Sequence, residues 1–419
     1  MDERHAGTPK RRPHLSFGSR APVPPVQKPS GSEKSESLDS LVLFDRGLDL
    51  FSSGRMDEAV ELWKKAVDIE PQFAAAWSGL ANVAEIRGHY EEALGYYERA
   101  LSADRTSAEC WFNIGNLYDA RGDYQKAEAA FRRAVELRPE LCEAWNNLGN
   151  VMTHLGRFEE AVRCYSMCLE MKPGFADVWF NAGNTWVEAG NYEEAVRCYR
   201  QAIQGASDPY RVWYNLGFTY GRMEDFASAA ECYQAAANLN PGDYEVWYNL
   251  GNAFLELSAS QEALDCYQKA LSLNEVDPEV WNNLGNAHAD LRAHEQAIHC
   301  FKKAIELDAS SHAAWNNLGN VYEELGQWEE AVDCYARAIE LADRRASYLL
   351  NRAMALAKLE RFAEAREDLM KAVERNASLT ALLPAITDLD RMRREGWLDG
   401  IVPSRRSSSH PSGHHPESR

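Results

Sequence analysis

The chain has 419 residues, 45% of them hydrophobic, and is rich in tryptophan, with twelve copies. Its formal charge is −19; residues 40–379 carry −22, against +2 for residues 1–39 and +1 for residues 380–419. So acidic a body repels nucleic-acid phosphates and anionic membranes and attracts basic partners, which argues against a nucleic-acid reader, and no run of eighteen apolar residues predicts a transmembrane helix or membrane insertion.

In chain order, residues 1–39 are Pro-, Ser- and Lys/Arg-rich with little apolar content, and are predicted to be a disordered tail without a secretory leader. From Ser40 to Leu379 the chain repeats itself every 34 residues, in ten units starting at 40, 74, 108, 142, 176, 210, 244, 278, 312 and 346. Trp77, Trp111, Trp145, Trp179, Trp213, Trp247, Trp281 and Trp315 keep this period, and so does an alanine from Ala59 to Ala365. Within the unit beginning at Cys142, the residues Trp145, Leu148, Gly149 and Met152 recur at helical spacing. Gly156 is the expected left-handed cap of that helix. A second helix follows from Phe158, with Ala161, Cys164, Tyr165 and Cys168 on its inner face, and Pro173 ends it.

Each unit is therefore a helix–turn–helix hairpin that must stack on neighbours to bury its apolar side. Residues 380–399 are expected to form a capping helix from Pro384 to about Trp397, with Ile386, Leu389 and Met392 as its apolar stripe. Residues 400–419 read as a second disordered tail.

Six of the nine cysteines (Cys164, Cys198, Cys232, Cys266, Cys300 and Cys334) recur at the repeat period. They mark a repeat position and not a disulfide framework or a metal site. Many unpaired thiols suit a reducing, cytoplasmic setting. No nucleophile, metal-ligand or phosphate-loop motif is present, so neither enzymatic activity nor a cofactor is expected.

Trp315-Asn-Asn-Leu-Gly-Asn-Val-Tyr322 followed by Ala331, Tyr335 and Ala338 resembles the tetratricopeptide repeat family, and the resemblance extends over about 340 residues. It implies an all-α, right-handed superhelix (an α-solenoid) whose first helices line a concave groove, and protein–protein binding as the role. The turn glycine is replaced by Glu224, Ser258 and Arg292 in three consecutive repeats, which marks the middle of the array as the place for altered curvature.

Two residues after the tryptophan position stand Asn113, Asn147, Asn181, Asn215, Asn249, Asn283, Asn317 and Asn351. Three residues further stand Asn82, Asn116, Asn150, Asn184, Asn252, Asn286 and Asn320. Both rows lie off the Trp–Leu face and are expected in the groove. An amide offers both a donor and an acceptor, matching an extended peptide backbone, and the arrangement resembles the asparagine ladder in the repeat region of O-GlcNAc transferase, without any catalytic domain. The same amides could instead bridge adjacent repeats; both readings stay open. Phe112, Phe180, Tyr214 and Tyr248, one residue after the tryptophan, are candidate apolar anchors. Glu109, Glu143, Asp177, Glu245, Glu279, Glu188, Glu256, Asp290 and Glu324 would make the groove acidic. The expected function is a scaffold or adaptor holding an extended, basic peptide segment. The alternatives are a self-associating structural protein and the substrate-recognition subunit of a multi-protein enzyme complex.

Overall fold

A computed structural model describes residues 35–401 apart from residue 343. Of the tails expected to be disordered, residues 1–34, with Lys10-Arg11-Arg12, and 402–419, with the C-terminal histidines, lie outside these residues, whereas 35–39 are helical and Ile401 is buried. The described chain falls into two compact units, 35–225 and 226–401. Among the described residues, regular structure is helical.

The first unit contains α1 (Ser35–Ser52), α2 (Met56–Ile69), α3 (Ala74–Ile86), α4 (Tyr90–Ala103), α5 (Ala108–Ala120), α6 (Tyr124–Leu137), α7 (Cys142–His154), α8 (Phe158–Met171), α9 (Ala176–Glu188), α10 (Tyr192–Ala202) and α11 (Pro209–Arg222). The second contains α12 (Phe226–Leu239), α13 (Tyr244–Glu256), α14 (Ser260–Leu273), α15 (Pro278–Asp290), α16 (His294–Leu307), α17 (His312–Glu324), α18 (Trp328–Leu341), α19 (Ala346–Lys358) and α20 (Phe362–Arg375). Within each unit, paired first and second helices pack on each other and on the hairpin before them, so both units are all-α stacks of helix pairs. The first helix begins at Ser35, upstream of the expected start at Ser40.

Inside most hairpins the aromatic of the second helix packs on the glycine of the first, although the last hairpin has Ala353 and Leu369 at these positions. A Cβ on Gly149 would come within 2.4 Å of the Tyr165 ring, and one on Gly319 within 2.7 Å of Tyr335. The tryptophan column sits half-buried at the junction between hairpins, most of it packed against the core. The indole N–H of Trp145 donates to the Pro139 carbonyl at 2.8 Å, and that of Trp179 to Pro173 at 2.8 Å, tying each hairpin to the turn that precedes it. The reason is that Tyr165 and its equivalents already fill the hairpin centre.

Three local departures stand out. The turn between paired helices keeps its left-handed backbone where glycine is lost: Gly156 has φ 73°, and Glu224, Ser258, Arg292 and Glu360 have φ 61°, 58°, 58° and 59°. The substituted turns therefore carry strain rather than a new shape. Helix α10 spans 11 residues where the other second helices span 14, because Gly205 replaces the apolar residue of the last turn and Asp208 caps an early-starting α11, accepting from the Arg211 amide at 3.4 Å. Finally, the capping helix expected to start at Pro384 is broken into α21 (Leu379–Leu382), two 3₁₀ turns (Leu383–Ala385 and Thr387–Leu389) and α22 (Asp390–Arg394). Ile386 is extended (ψ 111°), and Arg393 bonds the freed Leu383 and Ile386 carbonyls at 3.2 Å each. Leu389 and Met392 are buried as expected, joined by Leu383, Leu398 and Ile401.

Candidate peptide-binding face

The two asparagine rows do come together, but they meet each other. Stacking places the amide two residues after the tryptophan position opposite the second-row amide of the preceding repeat. In the first unit Asn113 Nδ2 donates to Asn82 at 3.4 Å, Asn147 to Asn116 at 2.8 Å and Asn215 to Asn184 at 2.9 Å. In the second, Asn283 donates to Asn252 at 2.9 Å, Asn317 to Asn286 at 3.0 Å and Asn351 to Asn320 at 3.4 Å. The second-row oxygen also accepts from the tyrosine of its own hairpin: Tyr199 to Asn184 and Tyr267 to Asn252 at 2.7 Å, Tyr165 to Asn150 and Tyr335 to Asn320 at 2.9 Å.

A third set, Asn146, Asn282 and Asn316, extends the chain of amides and was not singled out in the sequence. These residues stand where other repeats have Phe or Tyr, which is the signal that could have found them. Asn146 accepts from Asn181 at 2.9 Å, Asn282 from Asn317 at 3.2 Å and Asn316 from Asn351 at 3.1 Å.

Asn82, Asn113, Asn116, Asn147, Asn181, Asn184, Asn215, Asn249, Asn252 and Asn286 are buried, whereas Asn150, Asn283, Asn317, Asn320 and Asn351 are half-exposed. Of the two readings, geometry realises the bridging of adjacent repeats, because a buried amide without water must find a protein partner. It also orients the second row. With the Asn320 oxygen turned onto Tyr335 and Asn351, and that of Asn150 onto Tyr165, the Nδ2 groups of both are left as donors on the first-helix face.

The aromatic anchors are corrected. Phe112, Phe180, Tyr214 and Tyr248 are all buried. Phe112 packs against Phe131 and Phe180 against Tyr199, with ring centroids 5.9 Å apart in each pair, and Tyr248 lies 6.3 Å from Tyr267. These rings pack inside their own hairpins, so they belong to the core and are not exposed anchors.

Many of the acids expected to face a partner are held locally. Glu109 pairs with Arg138, and Glu143 with Lys172 at 2.7 Å. Burial pushes the Glu143 carboxyl up, but the Lys172 ammonium outweighs it and holds the group below the usual carboxylate range. Glu279 accepts from the Tyr248 hydroxyl at 3.2 Å. The end of each first helix meets the start of the preceding second helix: Asp290 accepts from Ser260 at 3.3 Å, Glu324 lies 3.8 Å from His294, His154 stacks on Tyr124 at 4.7 Å, and Lys358 lies over the Trp328 ring at 5.7 Å. The early end of α10 opens a small cavity of about 130 Å³ between α9 and α11, bounded by Asp177, Phe180, Ser207, Asp208, Arg211 and Val212.

Among the described residues no cluster of His, Cys, Asp and Glu could hold a metal ion, and no helix is long and apolar enough to cross a membrane. Cys142 and Cys168, which lie outside the cysteine column, are disulfide-bonded within the fourth hairpin, Cα atoms 4.6 Å apart. The other seven cysteines are free and buried. Burial pushes Cys164 up to about 11, and Cys198, Cys266, Cys300 and Cys334 up to about 12.

Stacked 34-residue hairpins, most with a glycine under an aromatic, and amides bridging consecutive first helices define a tetratricopeptide-repeat protein. Residues 26–177 and 170–378 match the family model described as the cilia and flagella-associated protein 70 C-terminal domain. The chain belongs to that family.

No curated protein sequence matches it. Solved structures similar to it include YrrB, a tetratricopeptide-repeat protein with an unusual peptide-binding site (24% identity, TM-score 0.42, covering 45% of this chain and 96% of that one). Others are the Cut9 complex with Hcn1 (17%, 0.42, 85% and 76%) and a tetratricopeptide-repeat protein from Parabacteroides merdae (20%, 0.44, 60% and 99%).

Proposed function

We propose that the chain is a protein-interaction scaffold whose first-helix face holds an extended, basic segment of a partner. The observation that carries this reading is the half-exposed stretch of the second unit, where Asn283, Asn317, Asn320 and Asn351 lie on α15, α17 and α19, and Asp290 and Glu324 end α15 and α17. The second-row donors suit the carbonyl oxygens of an extended chain. One rung per repeat, with helices about 8–10 Å apart, serves roughly three peptide residues. Acids at the helix ends supply attraction that salt weakens. The partner belongs to the assemblies for which the family is named, the cilium or flagellum, and the chain contributes binding rather than catalysis.

The test uses the full chain and a panel of labelled extended peptides that are basic, neutral or acidic, in a salt series. Basic peptides should bind best and lose at least tenfold in affinity between about 50 and 300 mM salt. The variant Asp290→Lys/Glu324→Lys should weaken basic peptides by a similar factor while leaving the melting curve in place. Equal binding of all three classes, or no response to the charge reversal, would discard the reading.

A further inference from the structure

We propose that Cys142 and Cys168 form a reversible, redox-controlled staple of the fourth hairpin. Cys142 opens α7 and Cys168 lies near the end of α8, so the bond closes the open end of the hairpin, opposite its turn. The Cα separation of 4.6 Å lies within the range a disulfide tolerates, about 4.4–6.8 Å. The equivalent positions in the neighbouring hairpins are buried alanines, Ala108 and Ala134 in one and Ala176 and Ala202 in the other. The fourth repeat replaces both members of the pair with cysteine, and both are fully buried. The column cysteines occur once per repeat, and each is free in the structure. Oxidation therefore has one intramolecular product here.

The chemistry is exchange with a low-molecular-weight disulfide such as oxidised glutathione. One cysteine thiolate attacks a sulfur of the external disulfide, breaking its S–S bond and releasing one external thiolate, which takes up a proton. The second cysteine, as its thiolate, then displaces the remaining external thiol and forms the Cys142–Cys168 bond. Two electrons pass to the external disulfide, which leaves as two thiols. Because both sulfurs are buried, exchange proceeds through transient opening of the hairpin. The product removes loop entropy across 26 residues of the unfolded chain. The staple holds in place α7, which presents Asn146 and Asn147 to Asn181 and Asn116 of the adjoining repeats. It stands whether or not the face binds a peptide.

The full chain, equilibrated with oxidised glutathione or with a reductant, is denatured, alkylated and weighed. Of its nine cysteines, the oxidised sample should alkylate at two fewer than the reduced one, and its digest should contain a cross-linked peptide joining Cys142 to Cys168. The oxidised chain should melt several degrees higher. Cys142→Ala and Cys168→Ala, which restore the neighbouring repeats' residue, should each abolish the cross-link and the shift, while Cys198→Ala should keep both. Full alkylation under both conditions, or glutathione adducts without the cross-link, would overturn the proposal. A cross-link that leaves the melting point unmoved would overturn its role as a staple.

Discussion

Glycine serves two physical ends in these hairpins, and they respond to substitution in opposite ways. At the turn it supplies a left-handed backbone, and four repeats do without it. Ser258 and Arg292, both at φ 58°, hold a conformation that costs an L-residue about 1–2 kcal/mol. Ser258→Gly and Arg292→Gly should each stabilise the chain by about 1 kcal/mol, the gain being reduced by glycine's larger unfolded-state entropy. Urea unfolding measures this, and a lowered midpoint would contradict it. Inside the hairpin, glycine gives room and not freedom. Gly149→Ala would drive a methyl to 2.4 Å from the Tyr165 ring and should cost about 1–3 kcal/mol, as overpacking does. The turn positions were legible in the sequence as a broken column, and the left-handed backbone that the lost glycine would have supplied is still there. The backbone keeps its conformation and absorbs the strain locally.

At the scale of the element, two columns that fail together tell more than one that fails alone. Arg352 occupies the leucine column of α19 and Asp368 the cysteine column of α20. They form a bidentate pair at 2.7 Å, with the Asp368 side chain 3% exposed. Removing one partner strands a buried charge. Arg352→Leu should therefore cost about 3–5 kcal/mol, whereas Arg352→Leu/Asp368→Cys, which rebuilds both columns, should recover most of it. A double variant no more stable than the single one would show that the pair is not what holds this hairpin. Both departures were visible in the sequence, but their meeting required the hairpin register.

The asparagine rows teach the same lesson from the other side. Spacing located all fifteen amides on the first helices. It did not reveal that Asn147 faces Asn116 across a junction, because periodicity assigns a face to a helix and not the neighbour packed against it. The same limit hid the burial of Phe112 and Tyr214, whose sequence position is that of a groove residue. The Cys142–Cys168 bond was hidden for a different reason: neither residue belongs to the cysteine column that drew notice.

For the molecule as a whole, a stack in which each hairpin touches only its neighbours has ends that must be covered. The last hairpin is covered by the segment after Leu379, which buries Leu383, Leu389, Met392, Leu398 and Ile401 against α19 and α20. Polar clasps fix it in place. Lys358 pairs with Asp388, Arg391 with Glu360, and Arg366 donates to the Trp397 carbonyl at 3.0 Å. The apolar stripe was legible as a helix-spaced pattern, but the single helix was not realised, since Pro384 and the extended Ile386 let the chain bend over the hairpin end. Each buried side chain contributes roughly 1.5–3 kcal/mol of transfer free energy before ordering entropy is subtracted. Ending the chain at Ser378 should therefore lower the stability of the second unit by several kcal/mol and expose an apolar patch. The check is an earlier thermal transition, enhanced binding of a hydrophobic dye and concentration-dependent association relative to the full chain. A truncated chain that melts with the full one and binds no dye would mean that α19 and α20 are self-sufficient. The loss should appear even in a truncated chain that retains the tail before Ser35, because the apolar surface it uncovers belongs to α19 and α20.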